Sequence, residues 1–155
     1  MTTESLRLSK HFTLSELIKT SYKINNTPAS PVVLDSLRRV CVNVLEEVRK
    51  HYGRPILIHS GYRSPAVNAA ASGSKASQHM KGEAVDFHVL GFSVYEVAVW
   101  MSENVDYDQL ILENFVPGIP TSGWVHCSFS QRNRNQDLTK FKGSGTYYPG
   151  IILKP

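Results

Sequence analysis

Cysteine is nearly absent from this 155-residue chain, which carries only Cys41 and Cys127. Two cysteines cannot make a disulfide framework, so a small stapled scaffold is excluded. Each reads instead as a small buried hydrophobe. Long apolar runs are missing as well: none approaches the ~20 residues of a membrane-spanning helix. Met1 to Lys10 has no apolar core and does not read as a secretory signal, so the protein is expected to stay in the cytoplasm after synthesis unless something releases it. No internal repeat, low-complexity tract or linker divides the chain. One domain over residues 1–155 is expected, behaving as a monomer and able to bury about two-thirds of the surface of its unfolded chain.

The charge balance is mildly basic, with a formal net charge of +4. Such an excess suits an anionic polymer, or a solvated surface with no partner. The Lys and Arg residues are scattered, with only Arg132 and Arg134 hinting at a cluster, so no nucleic-acid partner is expected.

Helix signals fill the first third. Thr13-Leu14-Ser15-Glu16 is a capping box and predicts a short helix. Ser30-Pro31 supplies an N-cap and a first-turn proline for a longer helix, running to about Tyr52 with Gly53 ending it. Leu34, Leu37, Cys41, Val44, Leu45, Val48 and Tyr52 recur at helical spacing and form its buried stripe. Ile56 to His59 then reads as a strand. Ser64-Pro65 opens a small helix to about Ala71, and Ser72 to Lys81 reads as a polar loop. Ala84 to Val89 alternates as a strand, and Ser93-Val94-Tyr95-Glu96 caps a helix to about Ser102. Gln109–Glu113 and Trp124–Phe129 are two further strands joined by a turn-rich segment. The remainder reads as irregular apart from short extended pieces. Helices first and short strands afterwards imply an α+β fold with a small antiparallel sheet flanked by helices.

The residues with the most chemistry lie on two of these strands and the polar loop. Alternation sets Asp86 and His88 on one face, with Val85, Phe87 and Val89 on the other. It likewise sets Trp124, His126 and Ser128 opposite Val125, Cys127 and Phe129. The apolar sets belong in the core, so Asp86 and His126 can meet on the open side if the two strands are neighbours. His79 arrives from the loop before them. Two imidazoles and one carboxylate suit Zn2+, and three protein ligands leave a fourth position for water, as in catalytic sites. His11, His51 and His59 read as surface or hydrogen-bonded histidines. His88 shares the face of Asp86 and could orient a ligand.

Several ordered motifs go further. Ser60-Gly61-Tyr62-Arg63-Ser64-Pro65, Asn68, Ser77-Gln78-His79 with Gly82, Ala84 and Asp86, and Trp124-Val125-His126 together resemble the zinc D-Ala-D-Ala carboxypeptidases and peptidoglycan endopeptidases of the M15 type. The likeness runs from about residue 12 to about 130. It is nearest to the short phage and prophage members, through Phe12–Leu17 and the Asp108–Glu113 stretch. The resemblance implies the D-Ala-D-Ala carboxypeptidase/hedgehog type of fold, zinc ligands at His79, Asp86 and His126, and peptidoglycan peptides as substrate. It also implies that Arg63 stabilises the oxyanion or holds substrate, against the alternative of a salt bridge that fixes its loop. Ser77 would bind substrate or brace the loop.

Many relatives carry a Glu three residues before the last histidine, and here that position is Gly123. Glu113 is the next candidate for general base, ahead of Asp108 and Glu83; by alternation Glu83 points away from the face of Asp86. Trp124 either walls the cleft and meets substrate or packs as a core aromatic. The expected activity is hydrolysis of a stem peptide or cross-link, as in an endolysin acting on the cell wall after release. A zinc-bearing binding module without activity is the alternative.

Overall fold

The computed structural model describes residues 6–155. Residues 1–5, half of the stretch that does not read as a secretory signal, lie outside the described residues. The capping box at Thr13 starts α1 (Leu14–Leu17), with both reciprocal bonds present. Ser30 caps α2 (Pro31–Val40), accepting from the Val32 N–H, and Pro31 occupies the first turn. The expected single helix to Tyr52 is interrupted: a π-helical turn over Cys41–Leu45 separates α2 from α3 (Glu46–Tyr52). The wider turn changes little in the stripe, because Leu37, Cys41, Val44, Leu45 and Val48 are all fully buried, joined by Val40. Gly53 ends the helix in the left-handed region, as its position implied.

β1 (Ile56–Ser60), α4 (Pro65–Ala70), β2 (Ala84–Val89), α5 (Val94–Asn104), β3 (Gln109–Phe115) and β4 (Trp124–Ser128) follow in the expected order. Within the expected polar loop, Gln78–Lys81 closes into a 3₁₀ turn that carries His79. The tail differs from the sequence reading. β5 (Gln136–Phe141) and β6 (Tyr147–Pro149) extend the sheet to six strands, in the order β1-β2-β4-β3-β5-β6. Neighbours are antiparallel except β3 and β5, which run parallel, so the expected antiparallel sheet is mostly antiparallel, with one parallel pair. β5 offers little apolar alternation to read. It is held by pairing with β3 and by the buried Thr139 hydroxyl, which donates to the Gly150 carbonyl and accepts from the Ile152 N–H.

The sheet therefore has a helix side and an open side. Val85, Phe87, Leu110, Leu112, Val125 and Cys127 pack into one core with the α2–α3 stripe and with Val97, Ala98 and Met101 of α5. Cys41 and Cys127 are both buried and free, and burial pushes the Cys41 thiol up to about 12. No helix among the described residues is long and apolar enough to cross a membrane.

Candidate metal centre and its cleft

On the open side, β2 and β4 pair so that Asp86 stands directly opposite His126. Alternation puts both side chains on this face, and the β2–β4 register sets them opposite each other. His79 comes from the 3₁₀ turn, whose start is held by Ser77: its Oγ accepts from the His79 N–H at 3.2 Å. Gly82 ends the turn at φ +72°, where a β-carbon would lie 2.7 Å from the Val33 carbonyl oxygen, so only glycine lets β2 begin there.

His79 Nδ1 donates to the Gly61 carbonyl at 2.7 Å, which fixes the tautomer and turns Nε2 toward Asp86. His79 Nε2 lies 3.4 Å from Asp86 Oδ2, and His126 Nδ1 lies 2.8 Å from Asp86 Oδ1. One donor atom from each residue falls within 4.8 Å of the others. Two ligands about 2.1 Å from one tetrahedral ion stand about 3.4 Å apart, so the His79–Asp86 separation already suits a shared ion, whereas the closer His126–Asp86 pair is a hydrogen bond that an ion would replace. Burial pushes the Asp86 carboxyl up, but His79 and His126 beside it outweigh burial and hold it well below the carboxylate range. Burial disfavours charge on His126, and its bond to Asp86 more than reverses this, so His126 is raised. The donor set is the one expected for zinc: two imidazoles, one ionised carboxylate and an orienting carbonyl behind the first histidine.

A cleft of about 430 Å³ opens over these residues. Arg63, Ser77, Glu113 and Trp124 all line it. Arg63 Nη2 is 3.5 Å from Asp86 Oδ2, and its Nε donates to Ser60 Oγ at 3.1 Å. Glu113 pairs with Trp124 across the β3–β4 ladder, and Ile111, two residues back, pairs with His126. Glu113 therefore shares the face of His126, one step along the strand pair. Burial raises the Glu113 carboxyl above its ordinary value, against the opposing pull of His126.

The other carboxylates are elsewhere. Asp108 is fully buried beneath Arg132 and Arg134 and is already engaged by both. Glu83 lines a neighbouring cavity beside Phe129 and accepts a long bond from Gln78. His88 does not orient a ligand: its Nδ1 pairs with His59 Nε2 at 2.7 Å, next to a separate cavity. His11 bonds Glu46 at 2.6 Å and His51 stacks on Trp100 at 4.1 Å, both away from the cleft.

Three contributors are missing from the sequence reading. Lys140 and Tyr147 reach the cleft from β5 and β6, the strands whose alternation is weakest. Asn26 is buried, and its amide donates to the carbonyls of Ile18 and Tyr62 at 2.8 Å each while its oxygen accepts from the Ser64 N–H at 2.7 Å. It thereby clamps the loop that carries Arg63. Its only sequence signal is an Asn-Asn pair in a polar stretch, which also marks ordinary turns.

The Peptidase M15 family model matches residues 10–128. No curated protein matches the chain.

Proposed function

The chain belongs to the peptidase M15 family, and from that premise we propose that it is a zinc-dependent peptidase acting on peptidoglycan stem peptides or cross-links. Membership gives the peptidase class; the peptidoglycan substrate rests on the motif likeness and the basic surface. The observation that carries the reading is the His79–Asp86–His126 cluster, with its donor atoms within 4.8 Å and His79 oriented by the Gly61 carbonyl. His79, Asp86 and His126 would hold the ion. Bound there, zinc lowers the pKa of a water to roughly 7 and polarises a carbonyl oxygen.

The remaining residues divide the work. Glu113 is the general base: it takes the proton of the attacking water and delivers it to the leaving amine. Its raised carboxyl suits a group that must both accept and return a proton near neutral pH. Arg63 directs its guanidinium to the developing oxyanion, and its contact with Asp86 keeps it beside the reacting carbonyl. Trp124 walls the cleft against the substrate chain. Ser77 braces His79 and keeps its hydroxyl hydrogen for a substrate carbonyl. One monomeric domain of the D-Ala-D-Ala carboxypeptidase/hedgehog type would suffice for this chemistry, in the manner of an endolysin.

Mass spectrometry of purified peptidoglycan fragments, incubated with the zinc-loaded protein and with its His126→Ala variant, tests the reading. Zinc-dependent release of D-Ala or splitting of a cross-link by the wild type alone supports it and names the bond. Bound zinc without cleavage of any fragment would favour a wall-binding module instead.

A further inference from the structure

The cleft continues past the three ligands, and its far end has a chemistry of its own. β3 runs along it with Gln109, Ile111 and Glu113 on the open side. Immediately before β3 stands Asp108, fully buried. Its Oδ1 accepts from the Arg134 N–H at 3.2 Å and from Arg134 Nε at 2.8 Å. Its Oδ2 accepts from Arg134 Nη2 at 3.2 Å, Arg132 Nε at 3.1 Å and Gln78 Nε2 at 2.9 Å. One carboxylate thus holds two guanidinium groups, leaving one positive charge over.

That surplus faces the cleft. Both arginines line it, and their side chains are 60% and 41% exposed. Among the described residues, both terminal nitrogens of Arg132 and Nη1 of Arg134 have no protein partner. The Arg132 guanidinium, held through Nε alone, still offers a planar fork of N–H donors, the shape that a carboxylate fits, and Arg134 adds its Nη1. At the opposite end Lys140 acts on Glu113, so charge there is closer to balance.

Register gives the spacing. Ile111 stands opposite His126, and Asp108 lies three residues earlier in the chain. At about 3.3 Å per residue the two backbone levels are about 10 Å apart, so the arginines that Asp108 holds stand along the cleft from the cluster by a stretch that an extended peptide covers in a few residues.

We propose that Arg132 and Arg134 form an anion subsite that selects peptides carrying a free carboxylate a few residues from the bond that is cut. Asp108 is the positioning residue of this subsite. The proposal rests on the peptidase reading above and narrows its substrate to acidic peptides longer than a dipeptide. The carboxylate could belong to a side chain or to a chain terminus, and the site recognises what the two share.

The test compares zinc-loaded wild type with Arg132→Gln/Arg134→Gln on stem peptides differing only in carboxylate or carboxamide, with the change made once in the side chain and once at the terminus. In wild type, kcat/KM should favour one carboxylate form by about ten- to hundredfold, and the double variant should bring that ratio close to one. Should the double variant not fold, Arg132→Gln alone should lower the ratio severalfold. A ratio near one in wild type, or one left unchanged by the arginine substitutions, overturns the subsite. Calorimetric binding of the same peptides to zinc-loaded Glu113→Gln, with and without the arginine changes, separates the two ideas. An arginine-dependent preference in binding without cleavage by wild type would sink the peptidase reading and keep the subsite. Cleavage without preference would do the reverse.

Discussion

The carbonyl oxygen of Glu113 lies 2.1 Å from where a β-carbon on Gly123 would stand. Gly123 also has φ +73°, so this stretch admits no side chain at that position. The glutamate that many relatives carry three residues before the last histidine therefore has no room in this backbone. The same contact brings the strand bearing Glu113 against the entry to β4, and the Glu113 side chain faces the cleft instead. Gly123→Ala should cost about 1–3 kcal/mol in urea unfolding, from the left-handed backbone and the forced shift together. A loss within a few tenths of a kcal/mol would show that the two strands separate more easily than their packing implies.

Glu113→Gln should have two effects of opposite sign. As the proposed base, its loss should lower kcat by about 10²- to 10⁴-fold with zinc still bound. Stability should move the other way. Burial raises the folded carboxyl above its unfolded value, so between the two values the folded chain binds more protons and stability falls as pH rises. At neutral pH the ionised group is a standing cost, which glutamine removes. The variant should therefore melt higher than wild type at pH 7, and the gap should close at pH 3. Equal melting temperatures at pH 7 would contradict the burial argument.

Two members of the His79–Asp86–His126 cluster were legible in the sequence because two strands with clean alternation carry them, while His79 arrives on the 3₁₀ turn before them. Val85, Phe87, Val125 and Cys127 had to face the core, which left Asp86 and His126 on the other side. Capping residues did the same for the helices: Ser30, Ser64 and Ser93 each accept from a backbone N–H in the first turn. What resisted reading depends on partners distant in sequence. β5 owes its existence to a parallel pairing with β3, and Asn26 reaches residues 36 and 38 positions away. The π-helical turn within Pro31–Tyr52 leaves the same side chains buried, so hydrophobic spacing alone cannot reveal it.

Asn26 should matter to activity through the Arg63 loop without touching the ligands. Asn26→Ala removes bonds to Ile18, Tyr62 and Ser64 and leaves buried backbone groups unpaired. The expected loss is about 1–3 kcal/mol of stability. If Arg63 serves the oxyanion, kcat should also fall well below the wild-type value while zinc content stays near one ion per chain. Reduced zinc content with unchanged turnover per bound ion would mean that the clamp supports His79 rather than Arg63.

Zinc should stabilise the fold through His79, Asp86 and His126. Binding to the native state alone at a hundredfold excess over Kd adds about 2.7 kcal/mol. Thermal unfolding with and without chelator should therefore differ by several degrees in wild type, and the difference should vanish in Asp86→Ala. A shift that persists in Asp86→Ala would place the ion elsewhere.

Asp108 should set the acid tolerance of the cleft's far end. Burial pushes its carboxyl up, but the bonds from Arg134, Gln78 and Arg132 win and hold it below the usual range. A depressed carboxyl contributes stability above its unfolded value and loses it as pH falls toward the folded one. Asp108→Asn should cost about 1.5–3 kcal/mol at pH 7, as charged bonds to two arginines become weak or unmade. The cost should begin to shrink as pH falls below about 4, because the wild-type advantage starts to be lost there. Urea unfolding of both proteins from pH 7 down to pH 3 checks this. A pH-independent difference would assign the loss to the shape of the pocket rather than to its charge.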